Sequence, residues 1–535
     1  MATYTEGRTR EVALDSEKFV TRAMPPVLGA FDMTAVYLVA IFFIVNAATA
    51  ASGGASAFTF LILGAVTFFI PCAIATAQLG HMFPHEGSLY NWTHKALGGY
   101  WSFFIGFCAW FPGVLVIVAG ADIVISLIAG LNSSWLTAPW QQGLAIAAVI
   151  AFSGLLAVQR VRIVQNIVKM MVCLIGVAVV LIGLSSLFWL ATGHRSVTNF
   201  GDLHGWAIHF SSTGNINLFG LITLAYLGTE VPLNMGGEIT ERKVVTRHLF
   251  WGTMLVLVGY FIATFALLVV QGSSVGSVGG FSLITNVDMV LGKPFGNITA
   301  ICIIAFFVIV PVVYNYTFAR LLMVAGIDRR LPASIGKLNK HRVPTNAIIF
   351  QTVAAVIFTL LIFDVTPYVV NLGNPSDLVN EVYNVSQAGA TLVWAISSAF
   401  FFINVARNVR SVRTEILTVA AAVQESEKET ATGVARVQVT GTALATIFGL
   451  VEQQASEIRA IHQMMEHLLR SARSLSETMN TISEITTHSS ASTRTVAQQM
   501  QQLTLLALQL RTSVEVFTIK DSTIPLTPRN QWIGV

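Results

Sequence analysis

The chain has 535 residues, 54% of them hydrophobic and only 11% charged, with a mean hydropathy of +0.69. So little charge excludes a soluble globular enzyme, and the net charge of +4 points to membrane topology rather than to a nucleic acid. Cys72, Cys108, Cys173 and Cys302 fall inside apolar stretches with no CxxC and no ligand-like spacing, so they read as buried thiols with no metal and no cofactor to hold.

Residues 1–27 are polar and carry both signs, which predicts an N-terminal tail without a cleavable signal. Ten apolar stretches follow, near 28–51, 56–80, 101–130, 140–158, 163–191, 214–236, 248–271, 295–325, 345–363 and 382–405. Each is long enough to cross a bilayer, which needs roughly 20 apolar residues. The expected organisation is a transmembrane domain over 28–405, a cytoplasmic tail over 406–520 and a flexible end over 521–535.

Charge sets the expected orientation. With the N-terminus inside, the inner loops hold Lys95, Arg160, Arg162, Arg242, Lys243, Arg247, Arg320, Arg329, Arg330, Lys337, Lys340 and Arg342, whereas the outer loops hold only Arg195 and Lys293. Cytoplasmic loops retain Lys and Arg, so both termini are placed in the cytoplasm of a plasma (inner) membrane protein.

Span 1 carries the small-residue run Val45-Asn46-Ala47-Ala48-Thr49-Ala50-Ala51-Ser52-Gly53-Gly54, and span 6 carries Thr223-Leu224-Ala225-Tyr226-Leu227-Gly228-Thr229-Glu230 followed by Pro232 and Gly236-Gly237-Glu238. Glycines, a proline and a carboxylate in one apolar segment predict a broken helix, which membranes tolerate only where it lines a cavity or is buried in protein. Spans 1 and 6 open the two five-span halves, and broken helices at corresponding positions mark a transporter binding site. Small-residue runs also serve as plain packing surfaces. An ionisable residue such as Glu230 inside a span is costly and points to function. Lys169, two turns inside span 5, either snorkels to the interface or titrates. Asp122, Asn315 with Tyr314 and Tyr316, Asn384, and Trp110 with Phe111 are pathway candidates that interhelical hydrogen bonding explains equally well.

These residues resemble the amino acid–polyamine–organocation permeases. The resemblance rests on Phe83-Pro84-His85-Glu86-Gly87-Ser88-Leu89-Tyr90-Asn91-Trp92, Gly228-Thr229-Glu230, Gly236-Gly237-Glu238, Ala319-Arg320, Asp328, Leu331-Pro332 and Val343-Pro344. Within that superfamily the chain looks most like the glutamate/GABA antiporter branch. The resemblance implies an all-α leucine-transporter-type fold of two inverted five-helix repeats, with an amino acid held at Val45, Asn46, Ala47, Ala48, Leu224, Ala225, Tyr226, Gly228 and Trp110. Lys169 and Glu230 are implied as coupling or gating groups, the lysine standing where relatives hold sodium, which implies proton coupling or sodium-independent exchange. The chain departs from the family at the span 1 break, where Ile44-Val45-Asn46-Ala47-Ala48 replaces a glycine-rich turn.

Beyond span 10 the apolar residues fall on a seven-residue repeat. Val437, Leu444, Val451, Ile458 and Met465 hold one position, and Ile447, Ile461, Leu468, Leu475 and Ile482 hold the other. This predicts a coiled coil whose seam one helix cannot bury alone, hence a homo-oligomer or a docking partner. The tail resembles the C-terminal helix of methyl-accepting chemotaxis signalling domains, without their kinase-contacting tip. The expected function is therefore a secondary amino acid permease and not an enzyme, the competing reading being an amino-acid sensor that signals through its tail.

Overall fold

The computed structural model describes residues 14–429 apart from 133, 211–214, 278 and 370–374, together with 445, 446 and 449. The tail beyond 429, and with it the coiled-coil seam, lies outside the described residues except for those three positions.

The chain is all-helical across its described residues. A short helix α1 (Asp15–Ala23) precedes span 1, which consists of α2 (Ala30–Ile41) and α3 (Asn46–Ala51). Span 2 joins α4 (Ser56–Gly64), a π-helical turn at Ala65–Phe69 and α5 (Ile70–Met82). Next, α6 (Ser88–Leu97) leads into span 3, α7 (Gly99–Leu131), and spans 4 and 5 are α8 (Pro139–Ala157) and α9 (Val161–Ala191). Span 6 is α10 (Asn217–Leu224) followed by two 3-10 turns, Val231–Asn234 and Gly236–Glu238. Span 7 is α11 (Lys243–Val270), and α12 (Ser282–Leu291) leads into span 8, α13 (Lys293–Ile327). Span 9 is α14 (Thr345–Leu360), a π-helical turn at Leu361–Val365 and α15 (Thr366–Val369), and span 10 begins α16 (Pro375–Glu429).

Eight of these helical stretches are long and apolar enough to cross a membrane. Spans 1 and 6 fall short for one physical reason, since each is interrupted and neither fragment has the length alone. The protein is thus a multi-pass membrane protein, and large apolar side chains such as Leu155, Val180, Phe250 and Ile301 stay exposed on the outer faces of the spans, where lipid replaces water.

The two halves repeat one plan. In each, a broken span and an unbroken one are followed by a ten-residue helix beginning at a serine, α6 at Ser88 and α12 at Ser282. Each short helix ends at a glycine of positive φ, Gly98 at 86° and Gly292 at 89°, a conformation that costs other residues a steric clash. Each glycine turns the chain into a helix of more than thirty residues, α7 (33) or α13 (35), and these two pack against one another at the centre. Five is odd, so the second half enters from the side opposite to the first and the repeats are inverted.

Candidate functional site

Span 1 breaks without glycine. Phe42 takes φ −82° and ψ 74°, the inverse γ-turn conformation open to any residue, and Phe43 N–H bonds to the Ile41 carbonyl at 2.9 Å. The carbonyls around this turn are met by two tyrosines from the other half. Tyr314 Oη donates to Ala40 O at 2.7 Å, while Tyr260 Oη stands 3.3 Å from both Ile41 O and Phe43 O. Unpaired carbonyls at membrane depth are costly, and buried tyrosines supply donors without charge. Neither ring was singled out as a partner of the break from sequence; the legible signal is a tyrosine in an otherwise apolar span.

Span 6 breaks at Gly228, whose φ of 108° no residue with a Cβ adopts easily. The Trp394 ring of span 10 covers this glycine, and its indole Nε1 donates to Glu230 Oε1 at 2.7 Å. Glu230 is 1% exposed and its second oxygen has no partner. The carboxylate is thus tied to an indole from span 10. Among the described residues, the N–H groups of Ile44 and Val45 and the carbonyls of Ala225, Tyr226 and Leu227 have no backbone partner.

A cavity of about 460 Å³ lies against both breaks, lined by Asn46, Thr49 and Ala50 of span 1, Leu61 of span 2, Leu221, Ile222, Leu224, Ala225 and Tyr226 of span 6, Tyr260 of span 7, and Asn384, Gln387, Ala388 and Thr391 of span 10. Its volume falls in the range of roughly 300–1,000 Å³ found for small-molecule sites.

The face that carries the basic loops is sealed beneath this cavity. Glu238 O accepts from Val27 N and Leu28 N at 2.8 and 2.9 Å, and Gly87 N bonds to Asn234 O at 3.0 Å. Arg320 of span 8 pairs with Glu238 at 2.7 Å and lies 3.8 Å over the Tyr316 ring, all of it buried. Helix α1 adds a latch, in which Ser16 N and Oγ bond the Asp328 carboxylate, both at 2.9 Å, and Glu17 pairs with Lys95 at 3.1 Å. Glu86 is buried in the same layer with neither oxygen hydrogen-bonded. Burial pushes its carboxyl well above the ordinary carboxylate range, the nearby Glu238 adds to the rise, and Arg320 opposes it.

Of the residues singled out from sequence, Asn46, Leu224, Ala225 and Tyr226 line the cavity, as does Asn384. Gly228 shapes the break behind it. Ala47 and Ala48 are fully buried, and Val45 packs against Gly280. Trp110 stands elsewhere: it stacks on Phe350 of span 9 at 5.8 Å, and its Nε1 lies 3.4 Å from Gln351, because the face of α7 that bears it looks toward α14. Asn315 is tied to Ser153, Gln351 and Thr352, so packing accounts for it. Lys169 pairs with Asp32 at 3.0 Å in the first turn of α2, ten residues or about 15 Å along the helix from Phe42. It therefore clamps span 5 to the start of span 1 rather than entering the break, and Asp32, which also accepts from Gly29 N, was missed because its signal reads as a helix cap.

Comparison with known proteins agrees with this geometry. The family described as amino acid permease matches residues 28–450. An uncharacterized transporter of Legionella pneumophila is 24% identical over 63% of this chain and 72% of its own length. The gamma-aminobutyric acid permease of Bacillus subtilis is 22% identical over 64% of this chain and 71% of its own, and the glutamate/serine transporter AimA of the same organism is 23% identical over 58% and 60%. Among solved structures, MhsT in complex with L-phenylalanine aligns at 13% identity with a TM-score of 0.48, covering 70% of this chain and 88% of that one.

Proposed function

The chain belongs to the amino acid permease family, and on that premise we propose that it carries amino acids across the plasma membrane by alternating access, without covalent chemistry. The observation that carries this reading is a cavity set against two broken spans above a buried layer of contacts on the basic face. A zwitterion suits such a place, because freed N–H groups favour an anion and freed carbonyls a cation. The gamma-aminobutyric acid and glutamate/serine relatives support amino acids or related organic cations as the substrate class.

In this reading the basic face is cytoplasmic, and the described conformation is closed inward. Transport is proton-coupled or an exchange and independent of sodium, with Lys169 tying span 5 to span 1 through Asp32. Uptake of radiolabelled amino acids into proteoliposomes tests it, comparing the full chain with one ending near Arg413. Saturable uptake that survives truncation supports a permease. Saturable binding with no uptake by either chain would favour a sensor that works through its tail.

A further inference from the structure

We propose that the cavity selects amino acids whose side chains are neutral, with amide- or hydroxyl-bearing side chains directed at span 10. This rests on the transporter reading above and narrows its substrate.

The described lining contains no ionisable carboxylate, ammonium, guanidinium or imidazole. Span 10 presents Asn384, Gln387 and Thr391, and Asn46 and Thr49 of span 1 extend this polar wall. The wall opposite is apolar, formed by Leu61, Leu221, Ile222 and Leu224. Gln387 is held in this wall by its amide nitrogen, which donates to Leu115 O at 3.1 Å. Asn384 is exposed into this space.

Two described carboxylates nearby do not enter this lining. Glu230 is buried beyond Gly228 with its indole partner, and Asp122 of span 3 lies beside Tyr383. The α-ammonium and α-carboxylate of a substrate compensate one another and the two breaks. A third charge on the side chain has no counter-ion among the described lining residues and loses its hydration on entry, which is costly unless it is paired. A neutral amide or hydroxyl instead exchanges water for the span 10 amides at little net cost.

The test is a panel of radiolabelled glutamine, threonine, leucine, glutamate, lysine and putrescine, measured both as equilibrium binding to the purified full chain and as uptake in proteoliposomes. The expected result is that glutamine and threonine bind at least about 10-fold more tightly than glutamate, lysine or putrescine. Asn384→Asp should then raise lysine affinity about 10-fold and lower that of glutamine, since it places one counter-charge in the wall. Tightest binding by lysine, glutamate or putrescine, or no gain for lysine in Asn384→Asp that still binds glutamine, overturns the inference. Binding with the expected ranking but no uptake leaves the selectivity standing and sinks the transporter reading, whereas uptake led by a charged compound does the reverse.

Discussion

Glu230 and Trp394 form one unit, and the direction of their hydrogen bond decides how substitutions rank. Glu230→Gln keeps an acceptor for the indole, while Glu230→Ala leaves a buried N–H unpaired at about 1–3 kcal/mol and removes the support behind Gly228. Uptake should therefore fall modestly in the first variant and at least tenfold in the second; equal loss in both would show that charge, not the contact to Trp394, is what matters. For Lys169 the expectation is reciprocal. Lys169→Ala and Asp32→Ala should each impair transport, and exchanging the two residues should restore part of it, as measured by initial uptake rates. No recovery in the exchanged protein would detach the ion pair from the mechanism. At this scale the sequence was informative for residues close together in the chain. Glu230, Tyr226 and Asn46 stood out within their own spans, whereas Tyr260, Tyr314, Trp394 and Asp32 act on positions far from them in sequence, and no local pattern announces such a partner.

Breaks and seals belong to whole elements. The span 6 break was legible because Gly228 and Pro232 are strong local punctuation; the span 1 break was foreseen in place but not in form, since an inverse γ-turn at Phe42 uses residues that carry no turn signal. The Gly236-Gly237-Glu238 string acquires a reason here. A Cβ at Gly236 would stand 2.6 Å from the His85 carbonyl oxygen, a backbone atom that cannot step aside. Gly236→Ala should part the loop after span 2 from span 6, seen as faster labelling of a cysteine placed at Glu238 by a thiol reagent added on the basic side. Unchanged labelling would mean that the seal does not depend on this approach. Glu86 adds a pH term to the same layer. Its carboxyl titrates above the ordinary range when buried, so the closed seal is fully favoured while Glu86 is protonated and is weakened as pH rises through that raised value, the open and hydrated form releasing the proton. Raising pH on the basic side should open the seal in the wild type and leave Glu86→Gln unresponsive. An identical pH profile in both proteins would remove Glu86 from the gate.

The plan of the whole molecule was the most legible part, because a bilayer imposes length and charge asymmetry on every span, and ten apolar stretches with an interruption in the first and sixth leave few arrangements. Selectivity was not legible, since the cavity wall is assembled from five spans and its neutrality is a property of the set. The central claim is that the space between the two breaks is where substrate sits. It is tested most directly by placing a single reactive thiol there, Thr49→Cys in a chain whose four native cysteines are replaced. This cysteine should react with a membrane-impermeant thiol reagent only from the side opposite the basic face, and saturating glutamine should slow that reaction at least about tenfold. Labelling from the basic face alone, or a rate untouched by any amino acid that the protein transports, would contradict the account.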